Sequence, residues 1–326
     1  MATKYLKNQL TIAEMAKRVI GGDHAQIAEV LEENNEFLID APMYEANEAF
    51  GHVASIRDRL PTISGRRLNE GATRSASSVK QIRESICLLD NFSEPDEVII
   101  DNQPDKNAAI NDENMAFLEA MMQTFSNYLV YGNEGVDPVQ LNGFFQRYNA
   151  LALANVEGLS GTGSDLSSVL MVEWGKNSAH LIYPRGSKKV GIDVNKMGKQ
   201  RVTDTSGNPF MAYVTQFKIQ FGMVVKDDRA VQRLANIESS GSTNNLLATG
   251  NMEKLIYARN RLPKMGSNAI IYVNRDLKSQ FDIWAFNKTN INFTVEQMKD
   301  GTPITKFQGI PIRHVDQMLD TESAIT

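Results

Sequence analysis

The chain has 326 residues, 34 Lys+Arg against 39 Asp+Glu for a net charge of -5, one Cys, four His and a hydrophobic fraction of 42%. That apolar content suffices for a core and is too high for a disordered chain, and the length points to two or three domains or one large one. No apolar run of ~20 residues and no signal-peptide core is present, one cysteine cannot form an intramolecular disulfide, and the His residues are not at metal-ligand spacing, so a membrane span, export by the usual route and a zinc site are not expected.

Met1 to Phe50 is acidic, with 4 basic and 9 acidic residues. Thr11 to Val19 and Asp23 to Leu38 each open with a capping-box pattern, Thr11 with Glu14 and Asp23 with Gln26, and predict two short helices. The apolar stripe of the second, Ile27, Val30, Leu31 and Leu38, is narrow and needs something to pack on.

Gly51 to Asp90 reverses the sign, with 7 basic and 4 acidic residues. Gly51 to Leu60 and Ser78 to Leu89 predict two strands joined by a long polar connection, Pro61 to Ser77. Such a connection is rare in a compact domain unless it is functional, and a lone two-stranded ribbon is marginal in water. Its charges, Arg57, Arg59, Arg66, Arg67, Arg74, Lys80 and Arg83, admit three readings. A nucleic-acid patch is disfavoured because the stretch has no Phe, Tyr or Trp for bases to stack on. A solvated face is the second. The third is docking on an acidic surface of another subunit, where opposite charge steers encounter and fixes register.

Asn91 to Asp137 supplies such a surface, with 1 basic and 10 acidic residues. Within it Asp105 to Tyr131 predicts a long helix: Ile110, Met115, Leu118, Met121, Met122, Phe125, Tyr128 and Leu129 recur at spacings of three and four, acids crowd the first turns, and Gly132 follows the end. Asp137 and Pro138 predict an N-cap and first position of a shorter helix through Tyr148.

Pro138 to Thr326 is basic, with 22 basic and 16 acidic residues. Gly158 to Ser168 is Gly-rich but lacks the Lys of a P-loop, and reads as a flexible connection. From Val169 to Lys226 the period is two, predicting strands at Leu181 to Tyr183, Val190 to Val194, Gln200 to Asp204 and Met211 to Val225, with a hairpin turn at Thr205 to Asn208. Lys188, Lys189, Lys196, Lys199 and Arg201 read as edge protection. Asp228 to Ile237 and Asn245 to Leu262 predict helices, Ala269 to Val273 a buried strand, Asn274 onward a helix with Leu277, Phe281 and Trp284 on one face, and Thr305 to Val315 a strand interrupted by Pro311. Helices and strands mix without regular alternation, so the class is α+β.

Nucleophilic catalysis needs Ser or Cys beside a positioned base. Cys87, His52, His180 and His314 are scattered, and the paired acids Asp227/Asp228 and Glu32/Glu33 are adjacent rather than on one helical face. No catalytic, cofactor or metal site is nominated, and an enzyme is not expected.

The order of elements carries a resemblance. An N-terminal arm, the ribbon HVASIRDRLPTISGRRLNEGATRSASSVKQI, a long helix running into NYLVYGN, then FFQRYNALA, then a mixed region ending GIPIRHVDQML is similar to the major capsid proteins of tailed bacteriophages, most of all the coat subunits of short-tailed phages with the Hong Kong 97-type fold. Leu60 to Gly71, Phe117 to Asn133 and Gly143 to Asn149 carry it best. The resemblance implies an N-terminal arm at 1–50, an extended loop at 51–104, a peripheral domain at 105–240 with its spine helix at 105–131 and β-hairpins, and an axial domain with a C-terminal return strand at 241–326, the last two interleaved. It implies a virion shell subunit, assembled in the host bacterial cytoplasm into pentamers and hexamers of an icosahedral shell around double-stranded DNA. Scaffolding, portal and cement proteins are implied partners; a membrane is not. A long N-terminal scaffolding segment is not expected, and no spacing nominates a Lys–Asn crosslink. The expected contact sets Arg57, Arg59, Arg66, Arg67 and Arg74 of one ribbon against Glu94, Asp96, Glu97, Asp101, Asp112 and Glu113 of a neighbour, in head-to-tail interfaces that close into rings. The alternative is a soluble module whose basic ribbon holds nucleic acid or an acidic protein.

Overall fold

The computed structural model describes residues 36–187, 191–240, 244–248, 250–264, 266–286, 293–297 and 303–326. The helix expected at Thr11 to Val19 and most of that at Asp23 to Leu38 lie outside the described residues, as do Lys188 and Lys189; the end of the second falls in α1 (Glu36–Asp40), whose Phe37 and Leu38 are buried.

Three sheets organise the described residues. The first is the two-stranded ribbon β2 (Gly51–Arg59) with β3 (Ser78–Ser85), antiparallel from Gly51↔Ser85 outward. The second has five strands: β1 (Met43–Glu45), β7 (Ala179–Tyr183), β9 (Pro209–Val225) and β4 (Cys87–Ser93) in that order, with β8 (Ile192–Thr203) also on β9. The third runs β12 (Phe293–Gln297), β13 (Pro303–Phe307), β14 (Ile310–His314), β11 (Ala269–Val273), β6 (Leu166–Glu173), β10 (Val231–Glu238), β5 (Val156–Gly158). The chain passes from the third sheet to the second and back, so a division at 240 does not separate them.

The long helix forms as expected. Asp105 caps α3 (Lys106–Tyr131) by accepting from the amides of Asn107 and Ala108, and Gly132 closes its C-terminus. At 1.5 Å per residue it is about 39 Å long. Leu118, Met121, Met122, Phe125 and Leu129 face the core, where Phe125 meets Phe221 of β9 at 4.4 Å between ring centroids.

Period-two alternation splits the seven-stranded sheet between two cores. Leu170, Val172, Ile270 and Tyr272 share a core with α3 and the five-stranded sheet. Val169, Met171, Ile271 and Val273 face the other way, onto Leu255 and Ala258 of α5 (Asn251–Arg261) and Leu277 and Phe281 of α6 (Arg275–Phe286). The short α2 (Glu97–Asp101) and α4 (Phe144–Arg147) flank the spine helix in sequence.

Several expectations are corrected. Ser78 to Leu89 is two strands, because the chain leaves the ribbon at Ile86 and β4 pairs with β9, Cys87 opposite Phe221. The helix expected from Asp137 is only α4; Asp137 instead accepts from Val139 N in a turn, and Gln140 and Asn142 side chains tie the loop to Asn133 and Glu134. Leu166 to Ser168 begins β6 rather than ending a loose connection. Ile192 to Val194 and Gln200 to Thr203, expected as parts of two strands, belong to one, β8, with a bulge near Gly198; Val190 lies outside the described residues. Asp228 to Ile237 is a 3-10 turn followed by strand β10; its polar Gln232, Arg233 and Asn236 are buried yet bonded, which made a sheet strand look amphipathic. Asn245 to Leu262 is helical only over α5. Thr305 to Val315 is a hairpin: Gln308 and Gly309 both take positive φ, 47° and 86°, as a two-residue hairpin turn demands.

Candidate assembly surface

The ribbon is fixed at its root and bare at its tip. At the root, the Asn47 side chain brackets Val53, donating to its carbonyl and accepting from its amide, both at 2.8 Å. Ala54 packs with Ala46, Ile182 and Val224. Glu84 is buried against Arg147 of α4. Beyond Ile56 nearly every side chain faces solvent. Pro61 to Ser77 forms no strand, but Ser75 Oγ donates to Thr62 O, Arg66 donates to Glu70 O, and Asn69 turns the tip with φ of 67°.

Three aliphatic side chains sit within this tip, Leu60 at 68% exposure, Ile63 at 92% and Leu68 at 93%. The charges dominate the sequence pattern here, yet Ile63 and Leu68 are visible in it as the large aliphatic residues of an otherwise polar connection, with Leu60 just before it. Arg57 and Arg59 lie on the outer part of β2, and Arg66, Arg67 and Arg74 in the loop. All five are exposed and none has an ion-pair partner among the described residues. Arg83, nearer the root, pairs with Glu48 at 3.1 Å.

The expected acidic partners are not equivalent. Asp96 caps α2, accepting from Val98 N. Glu97 pairs with Lys199 of β8. Asp101 takes Lys106 Nζ and the Tyr213 hydroxyl, both at 2.9 Å, and these two partners hold its carboxyl below the usual range. Within one chain these three are already engaged. Glu94, Asp112 and Glu113 are exposed, the last two on the first turns of α3, with no ion-pair partner among the described residues.

The residues considered for catalysis are otherwise employed. Cys87 is buried in β4, and burial together with Asp137 pushes its thiol up to about 12, the reverse of an activated nucleophile. His52 and His180 lie 6.4 Å apart, but His180 is buried and held neutral by its surroundings and by Lys226. Among the described residues no three His, Cys, Asp or Glu side chains converge as a metal site, and no helix is long and apolar enough to cross a membrane.

A family model described as major capsid protein GP7 matches residues 20–326. The chain belongs to that family. Its fold is the Hong Kong 97-type fold, and two solved structures share it. A chain of the bacteriophage epsilon15 structure is 26% identical over 90% of each chain, with a TM-score of 0.63. A chain of the bacteriophage JBD30 capsid is 13% identical over 94% of this chain and 99% of that one, with a TM-score of 0.53, a likeness of fold alone. A comparison with curated proteins gave no match. This major capsid protein is a structural subunit that builds a phage shell with copies of itself, a virion component and not an enzyme.

Proposed function

We propose that the capsid subunit is joined to its neighbour by the ribbon, whose arginines meet the acidic surface that follows it in sequence, led by Glu94, Asp112 and Glu113. The observation that carries this reading is the ribbon itself: a basic, partly apolar projection whose Arg57, Arg59, Arg66, Arg67 and Arg74 have no ion-pair partner among the described residues, on a subunit that works as part of a shell. Head-to-tail contact between two different patches closes into rings, here of five and six, and many weak contacts per subunit sum to a stable particle. The seven-stranded sheet with α5 and α6 corresponds to the axial domain at the ring centres, and α3 with the five-stranded sheet to the peripheral domain. The shell encloses double-stranded DNA and assembles in the host bacterial cytoplasm, with portal, scaffolding or cement proteins as accessory partners.

Reversal of two ribbon charges, Arg66→Glu with Arg67→Glu, tests the contact. Folded subunits with unchanged circular dichroism that no longer sediment as shells are the expected result. Normal shells from this variant would overturn the proposal.

A further inference from the structure

The ribbon meets the body over a small contact, and two histidines face each other across it. His52 is the second residue of β2 and His180 lies in β7 of the five-stranded sheet; their ring centroids are 6.4 Å apart at an interplanar angle of 85°. His180 is 1% exposed, with the Tyr44 ring of β1 at 5.1 Å on another side, and its Nδ1 has no hydrogen-bond partner among the described residues. His52 Nδ1 accepts from the Asn47 amide at 3.3 Å, which leaves Nε2 as the donor of the neutral ring. The apolar part of the junction is slight: Ala54 of the ribbon packs with Ala46, Ile182 and Val224, and Ile86 lies partly buried against them. The charges around the pair are unbalanced. Lys226, just after β9, bears on both rings, and Lys176, in the turn before β7, bears on His180. Arg185 adds a third cation, donating to Asn47 O. The acids acting on His52 are Glu84 and Glu48, and both are engaged, Glu84 by Arg147 and Glu48 by Arg83.

We infer that His52 and His180 form a proton-operated hinge: neutral, they let the ribbon root seat on the five-stranded sheet; protonated, they repel each other and Lys226 and drive the root open. The hinge belongs to the single subunit and holds whatever the ribbon tip meets. For packing alone a phenylalanine would serve better at position 180, since a buried nitrogen left unbonded costs free energy. A proton on either ring would sit among cations with no disengaged carboxylate at hand, and at His180 almost without solvent. Burial first, then Lys226, press both imidazoles below the ordinary value, His180 to about 3. Glu84 and Glu48 pull His52 the other way, and the Gly175 backbone, to which His180 donates, acts likewise there, without reversing either shift. Swinging the root away exposes both rings to water, where they take up protons near 6.5. Each pH unit below that value therefore multiplies the open fraction by up to about ten per histidine, until the closed-state value is reached. The buried Glu84–Arg147 fork ties β3 to α4 beside the pair, so the ribbon turns about this point rather than detaching.

Amide hydrogen exchange of the unassembled subunit, compared at pH 7 and pH 5 after correction for intrinsic rates, decides it. The amides that report on the root are Asn47, bonded to His52; Val53, bonded to the Asn47 side chain; and Ile86, bonded to Phe50 O. Their protection should fall about twentyfold between the two pH values, the effect of one histidine refusing its proton throughout that range, while the buried amides around Phe125 in α3 keep theirs. His180→Phe should remove most of the fall, and His52→Asn, which keeps an acceptor for the Asn47 amide, should lessen it. Unchanged root protection in the wild type, an equal loss in α3, or a full fall persisting in either variant overturns the hinge. If His180→Phe does not fold, His52→Asn decides alone, a fall equal to that of the wild type overturning the hinge. These readouts do not depend on shell formation, so failure of the hinge and failure of the ribbon contact, read by sedimentation of Arg66→Glu with Arg67→Glu, are told apart.

Discussion

Arg147 grips Glu84 through two parallel contacts, Nη1 to Oε1 at 2.7 Å and Nη2 to Oε2 at 2.5 Å, while its Nε donates to Asn142 O at 2.8 Å. One partner ends the helix after the spine and the other lies at the ribbon root, so a single buried fork sets where the ribbon leaves the body. Removing one partner leaves the other charge buried and unpaired, at a cost of about 3–5 kcal/mol. Glu84→Ala should lower subunit stability by that amount in urea denaturation, and the double change Glu84→Leu with Arg147→Met should recover most of it. A single variant within 1 kcal/mol of wild type would show that the fork carries no strain-bearing role.

Gly222 marks the place where β9 passes from pairing with β4 to pairing with β7. A Cβ there would sit 2.6 Å from Ser85 O and 3.0 Å from Ile182 Cγ1. The carbonyl belongs to the last residue of β3 and cannot yield without moving the ribbon root. Gly222→Ala should therefore cost about 1–3 kcal/mol, read by thermal unfolding of the unassembled subunit; an unchanged melting temperature would mean the junction is slack.

His180 predicts an acid sensitivity. It is buried beside Tyr44, its Nδ1 has no partner among the described residues, and burial first, then Lys226 and His52, press its imidazole down to about 3. As pH falls below the ordinary value near 6.5 the unfolded chain takes up a proton that the folded chain refuses, so stability is lost toward acid, by up to about 1.4 kcal/mol per pH unit. Asp40 acts in the opposite sense. Burial, outweighing Arg313, pushes its carboxyl from 3.8 to about 7, so its contribution is complete below the lower value and is lost as pH rises through the upper. The difference between wild type and His180→Phe isolates the histidine: from pH 7 to pH 4 the wild type should lose more stability than the variant. Parallel curves would remove His180 from the account.

Arg233 and Glu322 close the C-terminal tail onto the seven-stranded sheet at 2.8 Å, with Ser168 and Tyr131 donating to the same carboxylate and the guanidinium stacked 3.9 Å over the Phe145 ring. Nearby, Asn236 exchanges two hydrogen bonds with the Ile325 backbone at 2.9 Å each. Glu322→Ala should destabilise the subunit by about 3–5 kcal/mol, because Arg233 stays buried without its counter-ion. A truncation after Leu319 should do at least as much harm, and a shell-competent truncated subunit of wild-type stability would contradict this.

Elements with a strong local signature were legible before folding was considered. The spine helix carries its own cap, apolar period and stop, and β9 its own alternation from Tyr213 to Phe221. Strand β10 was misread as a helix because its polar Arg233 and Asn236 are buried and answered from afar; Glu322 and Ile325 each lie 89 positions from their partner. The candidate surface divides in the same way. That Arg57, Arg59, Arg66, Arg67 and Arg74 would be exposed follows from the polar, turn-rich stretch around them. That Glu97 and Asp101 are engaged does not, since Lys199 and Tyr213 stand 102 and 112 positions away.

Short-range order along the polypeptide was enough to specify a mixed fold, one long helix and a basic ribbon unable to bury itself, because capping, periodicity and turn chemistry act over a few residues. Which charges are neutralised at home, where the ribbon leaves the body, and which histidines face each other at its root were settled only when distant segments packed together. Ion pairing and burial depend on distances in space, and the order of residues leaves those open until the chain has folded.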